Sequence, residues 1–110
     1  MKYITKYKSP NYNSRSKSKI KLIIIHYTAL RNTKEAITYL CTKKKKVSAH
    51  YLISQNGLIY NLVNEKFRAW HAGQSFWQDI VDINSFSIGI ELDYKPNGKN
   101  NKFSSKMISS

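Results

Sequence analysis

Residues 20–28 read Ile-Lys-Leu-Ile-Ile-Ile-His-Tyr-Thr, and this stretch decides the fold that we predict. Its four consecutive aliphatic residues are mostly β-branched, which favours a strand covered on both faces over a buried helix. His26 stands where this strand ends. An imidazole held by a rigid strand is well placed to bind a metal or to act as a base. A histidine at the edge of the core that only hydrogen-bonds to a neighbour fits the same position equally well.

The composition is that of one folded domain with a strong excess of positive charge. The chain has 110 residues, 41% of them hydrophobic, and its 19 Lys+Arg against 6 Asp+Glu give a net charge of +13. Such a charge favours anionic partners such as nucleic acid, anionic lipid or an acidic cell-wall polymer. We expect no nucleic-acid partner, because neither a basic helix with interleaved aromatic residues nor a known reader motif accompanies the charge.

Other classes of protein are disfavoured by simple sequence features. No run of residues approaches the roughly 20 apolar residues of a membrane span, so we expect none. The basic N-terminus has no apolar core of the kind that a signal peptide contains. Cys41 is the only cysteine, which excludes a disulfide framework within the chain.

The distribution of charge suggests how the chain is divided. Residues 1–19 are basic, polar and rich in serine, so we predict an N-terminal arm without regular structure. Residues 20–110 would then form the folded domain. Within that domain we predict a helix that begins at Asn32 or Thr33 and runs to about Lys44, since apolar side chains recur there at helical spacing.

A β-hairpin is the clearest local prediction. Two apolar runs, residues 48–53 and 58–63, are joined through Asn56-Gly57, and both of these turn residues tolerate positive φ. His50 falls in the middle of the first predicted strand, on the same face as an aliphatic residue. A structural histidine is a fair interpretation of that position.

Trp70 and His71 precede a glycine and a polar loop. An aromatic face stacks well on a sugar ring or a peptide plane, and the indole and imidazole N–H groups offer hydrogen bonds. We therefore interpret this pair as the wall of a cleft. A tryptophan that anchors a loop to the core would give the same pattern.

A further strand is predicted over residues 87–92, Ser-Ile-Gly-Ile-Glu-Leu. Its aliphatic residues alternate with Ser87, Gly89 and Glu91, so one face belongs to the core and the other comes close to another group at Gly89. Burying an isolated carboxylate is costly, so Glu91 needs a cation, a histidine or water beside it. A carboxylate and an imidazole at the ends of two strands are the minimum for metal-assisted hydrolysis.

These segments together resemble the zinc-dependent N-acetylmuramoyl-L-alanine amidases of the AmpD and AmiD type, which are distantly similar to peptidoglycan recognition proteins. The resemblance covers the chain from about residue 9 to its end, and the order of several blocks makes it specific. The blocks are Ile24-Ile25-His26-Tyr27-Thr28, Val47-Ser48-Ala49-His50-Tyr51-Leu52-Ile53, Arg68-Ala69-Trp70-His71-Ala72-Gly73 and Asn84-Ser85-Phe86-Ser87-Ile88-Gly89-Ile90-Glu91-Leu92.

The resemblance implies a fold, a reaction and a set of site residues. The fold would be α/β, with a central mixed β-sheet flanked by helices. The reaction would be hydrolysis, by a zinc-bound water, of the amide between N-acetylmuramic acid and L-alanine in peptidoglycan or muropeptide fragments. The implied roles are zinc ligand for His26, acidic catalytic residue for Glu91, substrate-binding residues for Trp70, His71 and Asn84, and structural histidine near the metal site for His50.

The resemblance also implies that the domain is incomplete at its C-terminus. Phe103, Met107 and Ile108 have the spacing of a helix that begins near the end of the chain. In the family, a second histidine ligand and a third ligand come from a segment after that helix. We therefore expect residues 20–110 to be the N-terminal part of a zinc amidase domain. The alternatives are a non-catalytic remnant that binds peptidoglycan and an inactive truncated product.

Overall fold

The structure is a computed structural model that describes residues 3–15, 19–28, 30, 32–72, 76–77 and 80–93. The predicted C-terminal helix around residues 103–108 lies outside these residues. The described elements, in chain order, are β1 (Tyr3–Ile4), β2 (Tyr12–Ser14), β3 (Leu22–Tyr27), α1 (Thr33–Leu40), a 3-10 turn (Lys43–Lys45), β4 (Tyr51–Ile53), β5 (Ile59–Asn61), β6 (Phe67–Ala69), β7 (Phe76–Trp77), β8 (Ile80–Val81), a second 3-10 turn (Ile83–Phe86) and β9 (Ser87–Leu92).

A mixed five-stranded sheet forms the centre of the fold, as predicted. Its strand order is β1-β5-β4-β9-β3. Strand β9 lies between β3 and β4 and pairs in parallel with both, whereas β4 and β5 are antiparallel. Two further pairs, β2 with β6 and β7 with β8, form small two-stranded sheets. The fold is therefore α/β with a mixed central sheet.

The hairpin of β4 and β5 is confirmed, with shorter strands than the apolar runs suggested. Gly57 adopts a φ of 85°, a left-handed conformation that glycine tolerates without strain. The Ser54 hydroxyl accepts a hydrogen bond from the N–H of Leu58 and closes the turn. His50 lies immediately before β4 instead of in the middle of a strand.

Helix α1 begins where we predicted but ends earlier. The Asn32 side chain accepts the N–H of Glu35 at 2.8 Å, which makes it the N-cap. The helix ends at Leu40 and not near Lys44, because the next carbonyls are used by the N-terminal segment. The Asn11 amide donates to the carbonyls of Thr42 at 3.0 Å and Val47 at 2.8 Å.

The main hydrophobic core lies between α1 and one face of the sheet. Ala36 and Leu40 of the helix pack with Leu52 and Leu62, and all four are at most 2% exposed. Leu52 of β4 is the register partner of Glu91 in β9. Since register partners in parallel strands point to the same face, the helix and Glu91 share one side of the sheet.

The prediction that β3 is covered on both faces is wrong. β3 lies at one end of the described strand order, and the side chains of Ile23 and Ile25 are 66% and 59% exposed. These two residues alternate with Ile24 and His26, which are partly buried on the opposite face. An uninterrupted aliphatic run has no polar alternation, so it could not reveal that one face of this strand is open.

The expectation that the N-terminal arm lacks regular structure is also wrong. β1 pairs with β5, and β2 pairs with β6. Ser9, Asn11 and Arg15 are at most 5% exposed. Their side chains donate hydrogen bonds to carbonyls of distant segments, which holds this segment against the domain. The division of the chain at residue 20 stays a prediction.

Candidate functional site

The register of β3 and β9 brings two of the predicted site residues together. His26 is the direct Cα partner of Glu91 in this parallel pair. Their side chains consequently project from the same face of the sheet, side by side on adjacent strands. Each stands near the carboxyl end of its strand, at the edge where ligands commonly bind in α/β folds.

A second histidine contacts His26 from a different part of the chain. The Nε2 atom of His26 lies 3.1 Å from Nδ1 of His71, and the two rings meet edge-on with centroids 5.3 Å apart. His71 follows β6 in the chain, in the segment that we had interpreted as a cleft wall. His71 is only 8% exposed, so this contact reaches His26 from the buried side of the site.

Gly89 makes room for the His71 ring. A Cβ atom built on this glycine would lie 2.3 Å from Cγ of His71 and 2.4 Å from its Cδ2, which no side chain could accommodate without movement. The sequence had predicted a close approach at Gly89, and the group that approaches is this imidazole.

The position of His71 is fixed by Ser87 and Asn84. Nε2 of His71 lies 2.9 Å from the Ser87 hydroxyl, which donates its own proton to the carbonyl of Ile83 at 2.8 Å. Oδ1 of Asn84 accepts the backbone N–H groups of His71 at 3.2 Å and Ala72 at 2.9 Å. The predicted site residue Asn84 therefore uses its side-chain oxygen to hold the loop.

His50 lies deeper in the domain than the other two histidines. It is fully buried, and its Nδ1 accepts the N–H of Gly89 at 3.0 Å. Its Nε2 therefore carries the proton and donates to the carbonyl of Phe67 at 2.8 Å. The ring centroids of His50 and His71 are 6.2 Å apart. Both ring nitrogens of His50 are thus used to join β9 to β6.

Trp70 occupies the rim of the same region. Its ring is partly exposed, and its indole N–H donates to the Oδ1 of Asn13 at 3.1 Å. Its backbone N–H donates to the Ser48 hydroxyl at 2.9 Å. The indole N–H of Trp70 thus holds β2 through Asn13. A ligand could therefore contact only the aromatic face of this side chain.

Burial controls the protonation of the site residues. Desolvation raises the pKa of Glu91 to about 7, so that its protonated and ionised forms are similarly populated near neutral pH. Desolvation also lowers the pKa of His26. For His71, desolvation and then the positive charge of a protonated His26 lower the pKa to about 3, so this ring is neutral at physiological pH.

The sequence analysis assigned no role at the site to two side chains that support it, Arg15 and Ser87. Arg15 donates to the carbonyls of Asn84 at 3.3 Å and Ser87 at 3.1 Å, and thereby fixes the segment that leads into β9. Arg15 lies in the basic segment of residues 1–19, which the sequence analysis interpreted as an arm without regular structure. Ser87 could have been found, because it alternates with Gly89 and Glu91 along the same strand face.

The described residues fit one position of a zinc site and not a complete one. His26 offers an imidazole nitrogen, and imidazole is a common zinc ligand. Among the residues that the structure describes, no group of three or more His, Cys, Asp or Glu side chains is arranged to hold a metal ion. A catalytic zinc site normally has three protein ligands. Further ligands would have to come from elsewhere.

Comparisons with known sequences identify the relatives of this chain. A family model described as N-acetylmuramoyl-L-alanine amidase matches residues 16–110. The chain is 42% identical over 82 residues to the N-acetylmuramoyl-L-alanine amidase AmiD of Escherichia coli (strain K12), a match that covers 68% of this chain and 29% of AmiD. It is 54% identical over 48 residues to the 1,6-anhydro-N-acetylmuramyl-L-alanine amidase AmpD of Haemophilus influenzae, covering 44% and 26% of the two chains.

Solved structures show the same fold. A selenomethionine derivative of AmpD superimposes with a TM-score of 0.79 at 25% identity, covering 98% of this chain and 67% of that one. AmiD from E. coli, in complex with its substrate anhydro-N-acetylmuramic acid-L-Ala-D-gamma-Glu-L-Lys, gives a TM-score of 0.72 at 31% identity and covers 94% and 43%. The chain spans less than a third of the length of the curated relatives named above.

Proposed function

This chain belongs to the N-acetylmuramoyl-L-alanine amidase family, and on that premise we propose that it forms part of an enzyme that hydrolyses the amide between N-acetylmuramic acid and L-alanine in peptidoglycan fragments. The register of β3 and β9 carries the proposal, because it sets His26 beside Glu91 on one face of the sheet. Hydrolysis of this kind needs a residue that holds a metal and a base that accepts a proton from water. These two residues supply one of each.

Zinc is the metal that we propose, with His26 as its first ligand. When bound, zinc lowers the pKa of water to about 7 and polarises a carbonyl oxygen. His26 contributes a neutral nitrogen, since burial lowers the pKa of its ring and keeps it free of a second proton. The remaining ligands would come from outside the residues that the structure describes.

Glu91 is the proposed general base. Its carboxylate can accept a proton from the attacking water and return it to the leaving amine. In the metal-free protein, burial raises the pKa of this group to about 7. A base of this kind typically contributes a factor of about 10² to 10⁴ to the rate. Its place on β9, a strand paired on both sides, keeps the acceptor in a fixed position next to His26.

The predicted substrate-binding residues divide into one that is partly exposed, Trp70, and two that are buried, His71 and Asn84. The partly exposed ring of Trp70 would lie against the sugar or peptide of the substrate. Asn84 would act mainly by holding the loop through its Oδ1, and both ring nitrogens of His71 already have hydrogen-bonding partners. His50 would be structural, with both ring nitrogens used within the fold.

Two substitutions separate the proposed roles. In an intact homologue built on this sequence, His26→Ala should abolish zinc binding and activity together. Glu91→Gln should keep zinc and lower kcat by about 10² to 10⁴, because it removes only the base. Zinc content by elemental analysis and digestion of purified muropeptides check both, with the exposed Lys44→Ala as a control that changes neither. Full activity of either site variant would reject the assigned roles.

Binding of peptidoglycan without cleavage is the second candidate function. It is favoured by the absence of a three-ligand metal group among the described residues. Two similar solved structures, AmiD from E. coli and AmpDh3 from Pseudomonas aeruginosa, contain a bound anhydromuramyl peptide. Incubation of the zinc-supplemented full chain with muropeptides decides between the candidates. Release of the free peptide supports the amidase. Intact muropeptide that stays bound to the protein supports the binding module.

A further inference from the structure

We propose that His71 is a positioning residue that orients His26 for metal binding. This inference rests on the proposed function, because it takes His26 to be a metal ligand. The observation behind it is a continuous chain of hydrogen bonds from His26 through His71 and Ser87 to the carbonyl of Ile83.

The direction of each hydrogen bond in this chain follows from its last member. A carbonyl only accepts hydrogen bonds, so the Ser87 hydroxyl donates its single proton to the carbonyl oxygen of Ile83 at 2.8 Å. The same hydroxyl must then accept at its contact with His71, and the proton of the neutral His71 ring is on Nε2. Its Nδ1 therefore carries a lone pair.

That lone pair determines the state of His26. Nδ1 of His71 lies 3.1 Å from Nε2 of His26, so His26 must be the donor and must carry its proton on Nε2. The lone pair of a neutral His26 is then on Nδ1, which is the atom that we assign to the metal. Metal-binding histidines usually donate their other ring N–H to a neighbouring acceptor, which fixes both the tautomer and the ring orientation. Here the acceptor is a second imidazole.

The surroundings of His71 are built for this task. The ring is 8% exposed and lies against Gly89, where a Cβ would approach its Cγ to 2.3 Å. The backbone N–H of the same residue is held by Asn84. Both ring nitrogens of His71 thus have hydrogen-bonding partners, and its backbone is fixed. His71 therefore affects the site only through its hydrogen bond with His26.

A matched pair of substitutions tests the acceptor itself. His71→Asn keeps an oxygen near the position of Nδ1, whereas His71→Gln keeps a polar group near Nε2 and loses the acceptor that faces His26. In an intact homologue built on this sequence, which supplies the remaining ligands, His71→Gln should weaken Zn²⁺ binding by about 10-fold to 100-fold, the usual effect of removing such a partner. His71→Asn should stay close to the wild type. Competition with a chelator of known affinity measures both.

A spectroscopic measurement on the metal-free full chain distinguishes positioning from simple packing. The Nε2–H proton of His26 should give a protected ring N–H signal in ¹H–¹⁵N spectra of the wild type and of His71→Asn, and the signal should be lost in His71→Gln. Ser87→Ala is the second variant, because it removes the acceptor of His71 together with the hydroxyl donor to the carbonyl of Ile83 and leaves the His71 side chain itself in place. It should weaken the same signal.

The outcomes separate this inference from the function on which it rests. Equal Zn²⁺ affinity in wild type and His71→Gln, with the His26 signal intact in both His71→Gln and Ser87→Ala, would overturn the role of His71 alone. An intact homologue that keeps His26 and His71 and binds no Zn²⁺ would overturn the proposed function and this inference together. Loss of affinity and of the signal in His71→Gln, with both retained in His71→Asn, supports the proposal.

Discussion

Gly89 shows how one missing side chain shapes the site. Its backbone lies directly against the imidazole of His71, and a Cβ atom would be 2.3 Å from Cγ of that ring. We expect Gly89→Ala to lower the free energy of unfolding by about 1–3 kcal/mol, because overpacking of a filled space forces its neighbours to move. Urea denaturation of the metal-free protein measures the change.

The His71→Ala background provides the control for this prediction. Once the imidazole is removed, a methyl group at position 89 should be tolerated, so the two substitutions should couple in a double-mutant cycle. If the two changes in the free energy of unfolding are strictly additive, the destabilisation by Gly89→Ala is caused by a contact other than the one with His71.

Glu91 should make stability depend on pH. Its pKa rises from 4.5 to about 7 on folding, so the folded state prefers the protonated carboxyl. The resulting penalty is absent below about pH 4.5, grows between pH 4.5 and 7, and is complete above pH 7. In the presence of a chelator, Glu91→Gln should therefore be more stable than the wild type at pH 8 by about 1–3 kcal/mol.

Denaturation at two pH values checks this expectation. At pH 4 the wild-type carboxyl is protonated in both states and resembles the amide, so the difference between the two proteins should nearly vanish. A stability difference that is the same at pH 4 and pH 8 would contradict the raised pKa.

The sequence predicted these single residues to different extents. The high cost of burying a lone carboxylate pointed to Glu91, and the alternation of β9 pointed to a close approach at Gly89. The contact between His26 and His71 could not be predicted in the same way. These residues are 45 positions apart, and only the folded loop brings them within 3.1 Å.

Secondary-structure elements were predicted well where local chemistry sets their limits. Asn56-Gly57 located the hairpin, and Asn32 located the start of α1. The end of α1 was misplaced because it depends on Asn11, a residue about thirty positions earlier that binds the carbonyls of Thr42 and Val47. Local helical periodicity contains no information about such a distant partner.

Asn11 should accordingly be important for the stability of the segment after α1. It is 1% exposed, and Asn11→Ala would leave the carbonyls of Thr42 and Val47 without its two N–H donors. We expect a loss of about 1–3 kcal/mol, since a buried polar group left unpaired retains its full desolvation cost. Urea denaturation measures it. Asn64→Ala is the matched control at an exposed position, and an equal loss there would argue against the proposed cause.

The arrangement of the whole sheet was less accessible than its parts. Strand β9 comes last among the described strands, yet it pairs with β3 and β4, which lie far earlier in the chain. Strand patterns indicate where strands are but not their order, so the mixed sheet was anticipated only through the family resemblance. The charge of the molecule, by contrast, follows directly from composition.

The net charge of +13 should govern how the protein meets an acidic substrate. Screening shortens the range of this attraction to about 8 Å at physiological salt and about 3 Å at 1 M. We therefore expect binding to carboxylate-bearing peptidoglycan to weaken steadily as NaCl rises, mainly through a slower association rate. Sedimentation binding with purified peptidoglycan measures the affinity. Peptidoglycan with amidated carboxylates is the control, and a salt dependence that is equally steep for both polymers would show that these carboxylates are not what the charge recognises.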